Sequence, residues 1–164
     1  EPGPQAGDAG RGMSTHPPHH PLGAARHLVI ADPDPRARER VIAAIEGLLA
    51  APDNGLGELV LHTASDGREA LALIEAHQPA LVLCEVLLAG VSGLALLRRV
   101  RRARGPTAPH FILITTLARE SDRYWGLRNG AHGYVMKPYE DDLLQARIRE
   151  VLVGGDGAEK LAAL

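Results

Sequence analysis

From His27 onward, short apolar runs alternate with stretches whose apolar residues recur at helical spacing. Five runs have strand length: residues 27–31 (HLVIA), 58–63 (ELVLHT), 80–86 (ALVLCEV), 110–115 (HFILIT) and 133–136 (GYVM). Several are apolar at successive positions, as expected of strands covered on both faces. Between and after them lie five helical patterns. Residues 35–50 put Val41, Ile45, Leu48 and Leu49 on one face, with Asp34 as N-cap and Pro35 at the first helical position. Residues 66–77, 92–103, 120–129 and 140–153 follow, the fourth ending at Gly130 and the last carrying Leu144, Ile148 and Val151 as a stripe. The pattern predicts a (βα)5 α/β domain: a doubly wound, five-stranded parallel sheet in three α/β/α layers.

The flanks read differently. Residues 1–26 carry five Gly and five Pro with few large apolar side chains, so the sequence predicts a disordered tail, with Met13 a candidate natural start. His16, His19 and His20 lie there without companion ligands, a pattern that predicts adventitious metal binding at most. Residues 27–153 form the expected domain, and 154–164 the expected linker or start of a further segment.

Composition changes this picture little. The chain has 164 residues, 45% hydrophobic and 23% charged, with a net charge of -2, enough for one core and giving no global pull toward nucleic acid or membrane. No apolar run reaches the roughly 18 residues of a membrane span. Cys84 is the single cysteine, in an apolar run, and is read as a small buried hydrophobe in a reducing compartment. A cytoplasmic location is expected.

In an open parallel sheet the chemistry gathers beyond the carboxyl ends of the strands. Those positions hold Asp32-Pro33-Asp34, Glu85, Thr115-Thr116 and Lys137-Pro138. Carboxylates, a hydroxyl and a lysine brought together there suit phosphoryl chemistry. The residues alone go no further than that class.

The segments LVIADPDPRAR, ASDGREAL, ALVLCEVLLAGVSGLALLRRVR, FILITTL and GAHGYVMKPY, in this order, resemble the receiver domain of two-component response regulators over about residues 27–153. The steps of 30 positions from Glu85 to Thr115 and 22 from Thr115 to Lys137 fit that pattern. The resemblance implies a flavodoxin-like fold and a signalling module with no enzymatic motif of its own. It implies that Asp32 is the first of two acids that hold Mg²⁺, with Pro33 in the second acid's place. Glu85 falls on the phosphoacceptor aspartate, Thr115 and Lys137 on the phosphate-pocket hydroxyl and lysine, Pro138 on the proline after that lysine, often cis, and Tyr134 on the aromatic switch. Ala89 and Ser92 are further departures, and residues 51–57 make a longer connection, Asp32 and Glu85 being 53 positions apart.

Glutamate carries its carboxylate roughly 1 Å or more beyond aspartate's, a misplacement that can cost about 100-fold in rate. With Pro33 removing a ligand, Mg²⁺ binding is expected to be weak, through Asp32 and Glu85. The expected function is therefore an atypical, phosphorylation-independent receiver in a phosphorelay, with Glu85 reaching Lys137 directly and the fourth helix, fifth strand and fifth helix meeting a protein partner. A histidine kinase or downstream effector is the expected partner, with a homodimer as a further option and no direct nucleic-acid contact. The alternative is a conventional Mg²⁺-dependent phosphoacceptor. A remote one is a flavodoxin-like cofactor binder, disfavoured because no phosphate-binding loop follows the first strand.

Two further features stay open on sequence. Trp125, on the fourth helix, is either core or an interface anchor. Arg98, Arg99, Arg101, Arg102 and Arg104 on the third helix are either a contact for nucleic acid or an acidic partner or, more simply, a solvated outer face, since Leu97 and Val100 already supply the buried stripe.

Overall fold

Apolar residues at successive positions along the five runs produce five parallel strands with helices on both sides. The computed structural model describes residues 24–154. The elements are β1 (Arg26–Ala31), α1 (Pro35–Ala50), β2 (Leu59–Ala64), α2 (Gly67–His77), β3 (Leu81–Cys84), α3 (Gly93–Arg104), a 3₁₀ turn (Gly105–Thr107), β4 (His110–Thr115), α4 (Glu120–Arg128), β5 (Gly133–Met136) and α5 (Asp141–Val153). The sheet order is β2-β1-β3-β4-β5, all neighbours parallel. This is the doubly wound, flavodoxin-like order that the sequence leads one to expect.

Side chains alternate across the sheet, and the two faces have separate cores. Leu28, Ile30, Leu83, Ile112 and Val135 pack under α1 and α5, against Ile45, Leu48, Leu144 and Ile148. Val29, Ala31, Val82, Phe111 and Leu113 pack on the other face with Ile74 of α2 and Leu96, Leu97 and Val100 of α3. Cys84 lies in this second core, and burial pushes its thiol pKa up to about 12, so it stays a protonated packing group.

The caps follow the sequence. Asp34 accepts from Arg36 N at 2.9 Å, with Pro35 opening α1, and Asp66 and Ser92 cap α2 and α3 through Glu69 N and Ala95 N. Gly130, just past α4, has φ +99°. β1 begins one residue earlier than the pattern predicts. Arg26 pairs with Leu59 across the sheet, and its guanidinium donates to Leu152 O and Leu56 O at 2.8 and 2.6 Å. The remaining residues of the predicted tail, 1–23, and of the last segment, 155–164, lie outside the described residues.

β3 ends at Cys84, two residues before its predicted end, and this puts Glu85 on the first loop position. Glu85 N still donates to Ala31 O at 2.9 Å, then the chain turns, with Leu88 N and Gly93 N both donating to Val86 O. Glycines allow this turn. A Cβ on Gly93 would lie 2.3 Å from Glu85 O, and one on Gly67 would lie 1.8 Å from Val91 O.

Candidate functional site

Four of the sequence-selected residues meet at the carboxyl edge of the sheet. Asp32 follows β1, Glu85 follows β3, Thr115 ends β4 and Lys137 follows β5. Asp32, Glu85 and Thr115 are buried, and Lys137 is half-buried. Four strands from distant parts of the chain, β1, β3, β4 and β5, are needed to bring them together.

Lys137 Nζ is the centre of the arrangement. It donates to Asp32 Oδ2 at 2.6 Å and lies 3.2 Å from Glu85 Oε2. Burial acts to lower the Lys137 pKa, but the hydrogen bond to Asp32 and the charges of Glu85 and Asp32 outweigh it and raise it, so the ammonium is retained. Glu85 Oε1 accepts from the Thr115 hydroxyl at 2.9 Å, and Leu87 N approaches the same oxygen at 3.4 Å. Asp32 Oδ1 accepts from Asp34 N at 2.9 Å, which fixes the carboxylate's orientation.

A chain of hydrogen bonds leaves this pocket. Leu117 N donates to Thr115 Oγ1 at 3.2 Å, and Leu117 O accepts from the Tyr134 hydroxyl at 2.7 Å. Burial, then the charges of Asp122 and Glu85, raise the Tyr134 pKa and keep its phenol a donor. Tyr134 in turn packs against Gly126 of α4, where an added Cβ would lie 3.1 Å from its ring. Glu85 is thus joined to α4 through Thr115, Leu117 and Tyr134. Sequence reasoning missed Leu117, because a backbone carbonyl leaves no signal in residue identity.

Trp125 is 54% exposed and Tyr124 55%, their rings edge-on at 5.5 Å. Trp125 is therefore not core. It lines a cleft of about 270 Å³ with Val86, Leu94, Leu117 and Tyr134. The Lys137-Pro138 bond is cis, and Pro138 is exposed. The arginines of α3 do more than meet solvent. Arg98 donates to Asn129 Oδ1 at 3.1 Å and Arg101 to Gly130 O at 3.1 Å, pinning the end of α4 to α3.

This fold has many counterparts among solved structures. A family model described as the response regulator receiver domain matches residues 29–149. The chain belongs to the response regulator receiver family. It is 32% identical to protein PilH of Pseudomonas aeruginosa over 91 residues, 56% of this chain and 75% of that one. It is 38% identical over 94 residues to the transcriptional regulatory protein AfsQ1 of Streptomyces coelicolor, covering 57% of this chain but 40% of that one. In structure it is similar to a CheY-like response regulator receiver domain protein from Methanospirillum hungatei, with a TM-score of 0.66, 25% identity, and coverage of 84% of this chain and 99% of that one. The chain thus spans less than half of AfsQ1. Among the described residues no helix is long and apolar enough to cross a membrane.

Receiver domains hold Mg²⁺ beside the acceptor, so the donors here decide how well that ion fits. Pro33 is exposed and offers no side-chain oxygen. Both oxygens of Asp32 and Glu85 Oε1 accept hydrogen bonds, and the buried Glu85 Oε2 is held only by the Lys137 ammonium 3.2 Å away. Mg²⁺ needs only one or two protein carboxylates with water completing its octahedron, so Asp32 and Glu85 fit a weakened site. When bound, the ion would supply positive charge next to a transferred phosphoryl group.

Proposed function

We propose that this receiver domain relays signals in a two-component system without being phosphorylated, with Glu85 standing where the family's acceptor aspartate stands. The observation that carries this reading is the double engagement of Glu85. One oxygen accepts from Thr115 while the other lies against the Lys137 ammonium. These are the two groups that a phosphoryl on a shorter carboxylate would use, and glutamate's extra methylene brings a fixed negative charge to them.

Glu85 then acts as a permanent substitute. Its carboxylate orients the Thr115 hydroxyl, Thr115 holds Leu117 N, and Leu117 O holds the Tyr134 phenol beside α4. The surface of α4, β5 and α5, bearing Trp125, is held in one arrangement and offered to a protein partner, a histidine kinase or a downstream effector. Lys137 neutralises one of the two buried carboxylates, and the pocket keeps one net negative charge where the phosphorylated form would carry more. We further propose a cytoplasmic setting, residues 27–153 as the functional unit, and only weak Mg²⁺ binding.

Intact-mass spectrometry after incubation with Mg²⁺ and acetyl phosphate tests this. Unmodified protein is expected. A stable phosphoryl adduct mapped to Glu85 would overturn the reading and establish the conventional Mg²⁺-dependent one.

A further inference from the structure

A second cluster of ionisable side chains lies at the opposite end of the sheet, and the signalling role leaves it unused. His27 is near the start of β1, His62 is on the edge strand β2, and His77 is the last residue of α2, which runs back to the amino ends of the strands. Their rings stack, with centroids 5.1 Å apart for His27 and His62, 5.3 Å for His27 and His77, and 3.8 Å for His62 and His77. All three are half-buried, and one nitrogen of each lies within 4.8 Å of the others.

Ordinary packing does not ask for this. His27 Nδ1 and His62 Nε2 share one hydrogen bond at 2.8 Å, and among the described residues no carboxylate pairs with any of the three rings. Three imidazoles at one partly open place form the donor set that suits zinc and its neighbours among the divalent metals.

We infer that His27, His62 and His77 form a three-histidine site for a divalent transition-metal ion of the zinc class. In a tetrahedral site with Zn–N bonds of about 2.0–2.1 Å, the ligand nitrogens lie about 3.4 Å apart. The imidazoles reach that spacing by turning about their Cβ–Cγ bonds out of the stack. The metal takes the place of the proton between His27 and His62, and water fills the fourth position. It ties the edge strand and the end of α2 to β1, at sequence separations that no local motif spans.

The test is calorimetric titration of the full chain, stripped of metal, with Zn²⁺, together with Co²⁺ absorption as a report on coordination. His16, His19 and His20 are a competing ligand set, so a variant with all three changed to Gln is titrated in parallel. One ion per chain is expected, retained in that variant and weakened about a hundredfold by His62→Gln or His77→Gln. A rise in Tm with Zn²⁺, absent in His77→Gln, should accompany it. His77 is at a helix end, so H77Q keeps the test decisive if H62Q fails to fold. Absence of Zn²⁺ binding, or binding unaffected by H77Q and abolished in the variant lacking His16, His19 and His20, would overturn the assignment. So would ¹⁵N imidazole resonances of His27, His62 and His77 that do not move on Zn²⁺ addition.

Discussion

The two ends of the sheet treat their polar side chains in opposite ways. At the carboxyl end, Asp32 and Glu85 are buried as acids and share the ammonium of Lys137. At the amino end the polar groups are histidines facing one another: His27, His62 and His77 in a stack, and His110 edge-on to His132 at 4.2 Å. One end of the fold is organised by opposite charges in contact, the other by imidazole rings packed on one another.

Removing the central cation gives the largest expected effect. Lys137→Met leaves two buried carboxylates without a counter-charge, and breaking a buried ion pair in this way costs about 3 kcal/mol or more. Urea unfolding at pH 7 measures it. A loss below about 1 kcal/mol would mean that solvent already screens the pocket, and the contrast between the two ends would collapse.

Backbone closeness at the same end comes next. Gly93→Ala sets a methyl against Glu85 O and Val86 Cα, neither of which moves without the turn that places Glu85. A loss of about 1–3 kcal/mol is expected from such overpacking, read by the same unfolding curve.

The contrast is sharpened by pH. The pKa values of His62 and His110 are lowered, mainly by burial, and that of His132 falls to about 4 through burial and then the charges of His110 and Arg101. Phe111 N also donates to His132 Nδ1 at 3.2 Å, a bond that protonation removes. The unfolded chain binds these protons near pH 6.5 and the folded one resists, so this stability is complete above 6.5 and drains as pH falls toward 4. Lys137 has the opposite sign. Its raised pKa gives stability that is complete below the ordinary value of 10.5 and is lost as pH rises through the folded value. A Tm profile should be flat between those limits and fall on both sides, and His132→Gln should flatten the acid limb while leaving the alkaline one. An unchanged acid limb would show that His132 takes up its proton without unfolding.

The carboxyl end was largely legible because its residues follow strands whose apolar runs are plain. Asp32 and Lys137 sit one step past a strand end and Thr115 is itself a strand end, and the apolar residues before them locate that end. The turn after β3 was harder. Its largely apolar run, ALVLCEV, predicts a strand through Val86, but the chain turns there, with Leu88 N and Gly93 N donating to Val86 O. The amino-end cluster was invisible for a similar reason. His27, His62 and His77 have no motif spacing, and parallel pairing plus the return of α2 bring them together. Trp125 could not be placed by pattern, because α4 buries little besides Gly126 and so has no strong apolar stripe to orient it.

That last point gives the smallest expected effect and a control for the others, since among the described residues no side-chain hydrogen bond or ion pair ties Trp125 to either polar cluster. Trp125 is more than half exposed, and its neighbour Tyr124 touches its edge without enclosing it. Trp125→Ala removes mostly solvated surface from a nine-residue helix whose N-terminus has no side-chain cap. The stability change should stay within about 0.5 kcal/mol, the range of surface positions, and the pH profile should keep its shape. A tryptophan kept at so little stabilising value fits a role in contact with a partner, where a truncated aromatic anchor typically costs about 2 kcal/mol or more. A loss of stability well beyond about 0.5 kcal/mol would instead make Trp125 a closing group of the cleft beside Tyr134, and Trp125 would then be part of the connection from Glu85 to α4 rather than a control for it.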